Sequence, residues 1–157
     1  MVALDALDDL GVEWWMLGGW GVDALLGEQT RPHRDLDLAV FLSDLPQIEH
    51  HFAGFKRANA DEYPGFAMLV DQLGRRLDLL LLDEETGDAY RQRLASGRTI
   101  IYPRNQTNAH GSVGGRRVRC ASPDLQVREH DRPNADEVDL RDLALLHERF
   151  DSGDRTT

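Results

Sequence analysis

The chain is poor in cysteine. Its single one, Cys120, rules out an internal disulfide and suits a reducing compartment. No histidine adjoins Cys120 in sequence, so a buried structural thiol is the expected reading over a catalytic one. Long apolar runs are missing too: nothing approaches the roughly 18 residues that a membrane span needs. The opening stretch MVALDALDDL carries acids where a secretory signal would carry lysines, so a cytoplasmic protein is expected. Cations are scarce, with 18 Lys and Arg against 28 Asp and Glu for a net charge of −10. A nucleic-acid polyanion would meet mostly repulsion, and a neutral or cationic small partner fits better.

What is present is a globular profile, with 41% hydrophobic and 29% charged residues over 157 positions. That length predicts one domain over residues 1–150 and too little chain for two catalytic lobes. The last seven residues, 151–157, have nothing to bury and read as a flexible tail.

The periodicities predict mixed elements. Residues 2–10 form a short helix with Ala3, Leu7 and Leu10 on one face. Glu13-Trp14-Trp15-Met16-Leu17 reads as a buried strand entering the Gly18-Gly19 turn, and Val22 to Leu26 as a helix stopped by Gly27. Arg34 to Phe41 alternates and then turns wholly apolar, as a strand emerging from a core into a cleft would. Capping chemistry at Ser43-Asp44-Leu45-Pro46 starts a helix carrying Ile48, His51, Phe52 and Phe55. Phe66–Asp71 and Arg75–Asp83 make a hairpin around Gln72-Leu73-Gly74. Short strands are expected near 99–101 and 117–119, and a final helix near 136–150 with Val138, Leu140, Leu143, Ala144, Leu146 and His147 as its apolar stripe.

Three acids carry the chemistry. Residues two apart on a strand project to one side about 6.6 Å apart along the axis, so Asp35 and Asp37 can share a cation. Magnesium takes oxygen ligands and completes its octahedron with phosphate and water. An Asp-x-Asp pair also marks many solvated strand faces, so the stronger signal is Asp78, set in Leu77-Asp78-Leu79-Leu80-Leu81-Leu82. A charge among leucines is costly without a partner. Gly18-Gly19, between a strand and a helix, either exposes backbone N–H groups to a phosphate or is a plain turn.

In that order, strand, Gly-Gly, helix, strand-borne Asp-x-Asp and a later buried Asp, the residues resemble a known family. The segment from Gly18-Gly19-Trp20-Gly21-Val22-Asp23-Ala24-Leu25-Leu26-Gly27 through Thr30-Arg31-Pro32-His33-Arg34-Asp35-Leu36-Asp37 resembles the small antibiotic nucleotidyltransferases of the DNA polymerase beta-like superfamily, above all the lincosamide and aminoglycoside 2''-type enzymes. Looser likeness continues through Arg76-Leu77-Asp78 and Val118 to Pro123, and on to Asp139 and Asp142. One departure is His130-Asp131-Arg132-Pro133, where related chains commonly follow the histidine with an aromatic-containing motif.

The resemblance implies an α+β fold, a twisted mixed sheet flanked by helices. It implies Mg²⁺ held by Asp35, Asp37 and Asp78, with ATP or another NTP placed by Gly18 and Gly19. Asp78 would also take the proton of the attacking hydroxyl, and Arg31 and His33 would contact phosphates or anchor the loop. The implied reaction moves a nucleoside monophosphate, AMP from ATP, to a hydroxyl of a small molecule such as a lincosamide or aminoglycoside, releasing pyrophosphate. Two alternatives stay open: a toxin-like nucleotidyltransferase acting on protein or RNA, and a non-catalytic nucleotide-binding module. The absence of a second lobe points to a homodimer that completes the acceptor pocket.

Overall fold

In the computed structural model, which describes residues 2–58, 64–84 and 87–151, the chain begins with α1 (Val2–Asp9), β1 (Trp14–Met16), α2 (Gly18–Leu26) and β2 (Asp35–Phe41). A 3-10 turn at Leu42–Asp44 leads to α3 (Leu45–His51), β3 (Phe55–Arg57), β4 (Phe66–Asp71) and β5 (Arg76–Glu84). Then follow β6 (Ala89–Arg93), β7 (Thr99–Pro103), α4 (Arg104–Thr107), β8 (Ala109–Val113), β9 (Arg116–Cys120), α5 (Pro123–His130) and α6 (Glu137–Phe150).

The strands form one mixed sheet in the order β3-β4-β5-β2-β1-β9-β8, with β6 and β7 continuing from the end of β5. The pairs β2–β5 and β1–β9 are parallel, and the other strand pairs are antiparallel. The α+β architecture and its mixed sheet are therefore as expected.

Alternation along the strands sorts the core into two clusters. Leu38, Val40, Leu77, Leu79 and Leu81 join Leu4, Leu7 and Ile48 in the larger one, beneath α1 and α3. Ala39 and Leu82 join Trp15, Tyr90, Tyr102 and Leu125 in the smaller one. Cys120 is buried in the larger core, and burial pushes its thiol up to about 12, so it is inert packing as expected.

Several elements depart from the sequence reading. The helix after β1 begins at Gly18 rather than Val22, because the glycine pair forms its first turn. α1 buries Leu4 and Leu7, while Ala3 and Leu10 are only half-buried. Phe55 lies on β3, not on α3, which ends at His51; its aromatic spacing mimicked a helical face. α6 buries Asp142, Leu143 and Leu146, whereas Val138, Leu140, Ala144 and His147 are exposed. β6, β8 and α5 were not anticipated. α5 did carry a signal in Ser122-Pro123: the Ser122 hydroxyl accepts from the Leu125 N–H at 3.2 Å and Pro123 opens the helix. Apart from Asp151, the expected tail lies outside the described residues.

Candidate active site

β2 loses its burial toward its N-terminal end, where Asp35, Leu36 and Asp37 are half-buried before Leu38, Ala39 and Val40 enter the core. The parallel register sets Asp37 beside Asp78 and Asp35 beside Arg76. All three acids thus reach one end of the sheet, and all line a single open cleft of about 710 Å³.

The Gly18-Gly19 turn forms a second wall. Leu17 precedes α2 and has no side-chain oxygen with which to cap it, so no side chain occupies the first-turn N–H groups. Gly18 has a left-handed φ of 55°, and a β-carbon there would overlap the Asp37 carboxylate. A β-carbon at Gly19 would overlap Arg31 Nη2 and the His33 ring. Only glycine lets this backbone lie against the acids on one side and the Arg31–His33 loop on the other.

Two buried acids fix that loop. Asp23 on α2 accepts hydrogen bonds from the Thr30 backbone N–H at 3.0 Å, from the Thr30 hydroxyl at 2.7 Å and from His33 Nε2. His33 is almost wholly buried and packs against Trp20 with ring centroids 4.5 Å apart. It stands behind Gly19 and is not part of the cleft wall, a loop anchor in this geometry. Arg31 does line the cleft, and its guanidinium donates to Asp142 on α6.

The charge balance among the three acids is uneven. Burial first, then Asp35 and Asp78, push the Asp37 carboxyl up to about 7, against the opposing pull of Arg76 and Arg31. Arg76 donates through Nε and Nη2 to both oxygens of buried Asp78, and its Nη2 lies 3.2 Å from Asp35. A divalent cation fits the surplus negative charge at Asp37 and the all-oxygen donor set of Asp35 and Asp37. Asp78 is instead engaged by Arg76 through both of its oxygens, and among the described residues no group of three acids, histidines or cysteines stands ready to hold an ion.

Across the cleft stand Tyr102 from β7, Gln126, Glu129 and His130 from α5, and Asp136, Val138 and Asp139 at the start of α6. Sequence reasoning did not pick these as site residues, since they come from elements it missed or read only as packing. Gln126 is buried with no partner for Nε2 among the described residues. His130 donates from Nδ1 to the Gln126 carbonyl at 2.8 Å, which places on this wall the histidine that precedes the departing Asp131-Arg132-Pro133.

The family model of aminoglycoside-2''-adenylyltransferases matches residues 1–146. The chain belongs to this family. As a member of the aminoglycoside-2''-adenylyltransferase family it is a nucleotidyltransferase, and its relatives agree. A lincosamide resistance protein of Staphylococcus haemolyticus is 25% identical over 148 residues, covering 91% of each chain. A 2''-aminoglycoside nucleotidyltransferase of Klebsiella pneumoniae is 29% identical over 130 residues, which span 76% of this chain and 63% of that one. The crystal structure of the lincosamide antibiotic adenylyltransferase LnuA, lincomycin-bound, superposes with a TM-score of 0.79 at 25% identity, covering 91% of this chain and 90% of that one. That of ANT(2'')-Ia in complex with adenylyl-2''-tobramycin shares the fold, with a TM-score of 0.72 at 22% identity over 94% of this chain and 84% of that one. Among the described residues no helix is long and apolar enough to cross a membrane.

Proposed function

We propose that this family member transfers AMP from ATP, with Mg²⁺, to a hydroxyl of a lincosamide or aminoglycoside antibiotic. The observation that carries the reading is the meeting of Asp35, Asp37 and Asp78 with the Gly18-Gly19 turn in one cleft. In this reading the N–H groups at the start of α2 and the Arg31 guanidinium hold the triphosphate. Asp35 and Asp37 would hold the cation, with Asp78 as a third ligand if Arg76 gave up its hold on that carboxylate. When bound, the cation offsets charge on the attacking and leaving oxygens.

The acceptor oxygen attacks the alpha phosphorus in line. A new P–O bond forms, the bond to pyrophosphate breaks, and Asp78 takes the hydroxyl proton. The residues mostly orient reactants, which supplies much of the acceleration such reactions need. Glu129, Asp136 and Asp139 on the opposite wall suit the amines of these drugs, with Arg132 offsetting Asp139 at 2.9 Å.

The reading places residues 1–150 in one catalytic domain acting in the cytoplasm. Val138 is exposed on α6 and lines the open cleft, and Leu140 is exposed on the same helix, which favours a second copy covering the acceptor side. Light scattering at the mass of a dimer supports that arrangement, and a monomer sinks it. The activity is tested by mass spectrometry of lincomycin and tobramycin after incubation with the protein, ATP and Mg²⁺. Growth of either drug by one adenylyl group is the expected result. ATP bound with no adduct on any acceptor would move the reading to a non-catalytic module.

A further inference from the structure

We propose that Asp142 is a positioning residue for the nucleotide phosphates and acts through Arg31, an inference that rests on the function proposed above. Asp142 is 1% exposed between Arg141 and Leu143 on α6, and a buried carboxylate needs a partner to offset its lost hydration. Its partner comes from 111 residues earlier in the chain: Arg31 donates from Nη2 at 2.8 Å and from Nε at 3.4 Å. His130 Nε2 stands 3.7 Å from the same oxygen that accepts from Nη2.

The Arg31 guanidinium is held from both sides. Asp142 grips one edge, and the Gly19 backbone lies so close to Nη2 that any β-carbon there would overlap it. A guanidinium has five N–H donors in a rigid plane. The bonds to Asp142 use Nε and one hydrogen of Nη2, so the remaining donors serve the cleft that Arg31 lines. The loop beneath is pinned as well, since Arg141 Nη2 donates to the Thr30 carbonyl at 3.1 Å while Asp23 holds the Thr30 N–H and hydroxyl.

α6 thereby sets the position of a cation beside the phosphate-facing turn of α2. A long arginine ordered in advance loses less freedom when it meets an anion, so removing its anchor weakens binding without touching the ligand. A purely structural ion pair would alter unfolding but leave the ATP affinity of the folded protein unchanged.

The test is calorimetric titration of ATP with Mg²⁺ into the wild type, Asp142→Asn, Arg31→Gln and the double variant. Each single change is expected to weaken binding about tenfold, and the double variant to bind no more weakly than Arg31→Gln alone, because in this proposal Asp142 reaches the phosphates through Arg31 and not through its longer 3.7 Å contact with His130. Folded Asp142→Asn with wild-type affinity overturns the inference, as do two effects that simply multiply. If Asp142→Asn does not fold, Arg31→Lys decides: it keeps the charge but not the two-pronged grip. Weakened binding then supports the inference and wild-type binding overturns it. A wild-type chain that takes up no ATP overturns the nucleotidyltransferase reading and this inference with it.

Discussion

One face of the β2–β5 pair sends Leu38, Val40, Leu77, Leu79 and Leu81 into the larger core, while the other carries Asp35, Asp37 and Asp78 at the strand ends and Ala39, Phe41, Leu80 and Leu82 beyond them. The same two strands and the same alternation therefore build both a packed face and a charged one. The apolar face needs only density. The charged face leaves carboxylates short of water and depends on Arg76, Arg31 and, in the proposed function, a cation to balance them. Stability and chemistry are separated by one residue along each strand, and substitutions on the two faces should have opposite signatures.

The largest expected effect is on the charged face, where Asp37→Asn lowers turnover by about a thousandfold while leaving the fold intact, read by steady-state kinetics and circular dichroism. On the packed face, Leu79→Ala costs about 3 kcal/mol in denaturant unfolding, because it opens a cavity in the larger core. Its folded fraction should bind ATP as the wild type does. Wild-type stability of Leu79→Ala would break the comparison.

A third expectation concerns pH in metal-free protein. The folded-state value of Asp37, about 7, lies above its ordinary 3.8, so the contribution of this group is fully present below about 4 and is lost as pH rises through 7. Asp37→Asn should match the wild type in thermal unfolding at pH 4 and exceed it at pH 8, and Mg²⁺ should narrow that gap by stabilising the wild type alone. A gap that shrinks toward alkaline pH would contradict the account. The smallest effect is at Arg76, where Arg76→Gln frees Asp35 and Asp78. A Mn²⁺ titration should show affinity raised about severalfold at pH 8; unchanged or weaker binding would show that Arg76 does not compete for the site.

Much of this contrast was legible in the sequence. Alternation gave β2, the hairpin signal around Gln72-Leu73-Gly74 gave β4 and β5, and the lone acid in a leucine run marked Asp78 as a residue needing a partner. The partner, Arg76, lies two residues away on the same predicted strand, within reach of the rule that paired Asp35 with Asp37, but the sequence does not say that the two side chains bond. The loop anchors were half visible: Asp23 stands within the apolar run Val22 to Leu26, and Asp142 precedes Leu143 on the final helix. Their partners, Thr30, His33 and Arg31, depend on tertiary packing that no local pattern encodes. The far wall was missed for the same reason, as β7, α5 and the start of α6 meet the acids only once the sheet has closed its order.

The most direct test of the central claim is pyrophosphate release from ATP and Mg²⁺, measured with and without lincomycin or tobramycin. The account predicts release that depends on one of these acceptors; an absence of release with every lincosamide and aminoglycoside supplied, from protein that is folded and binds ATP, would contradict it.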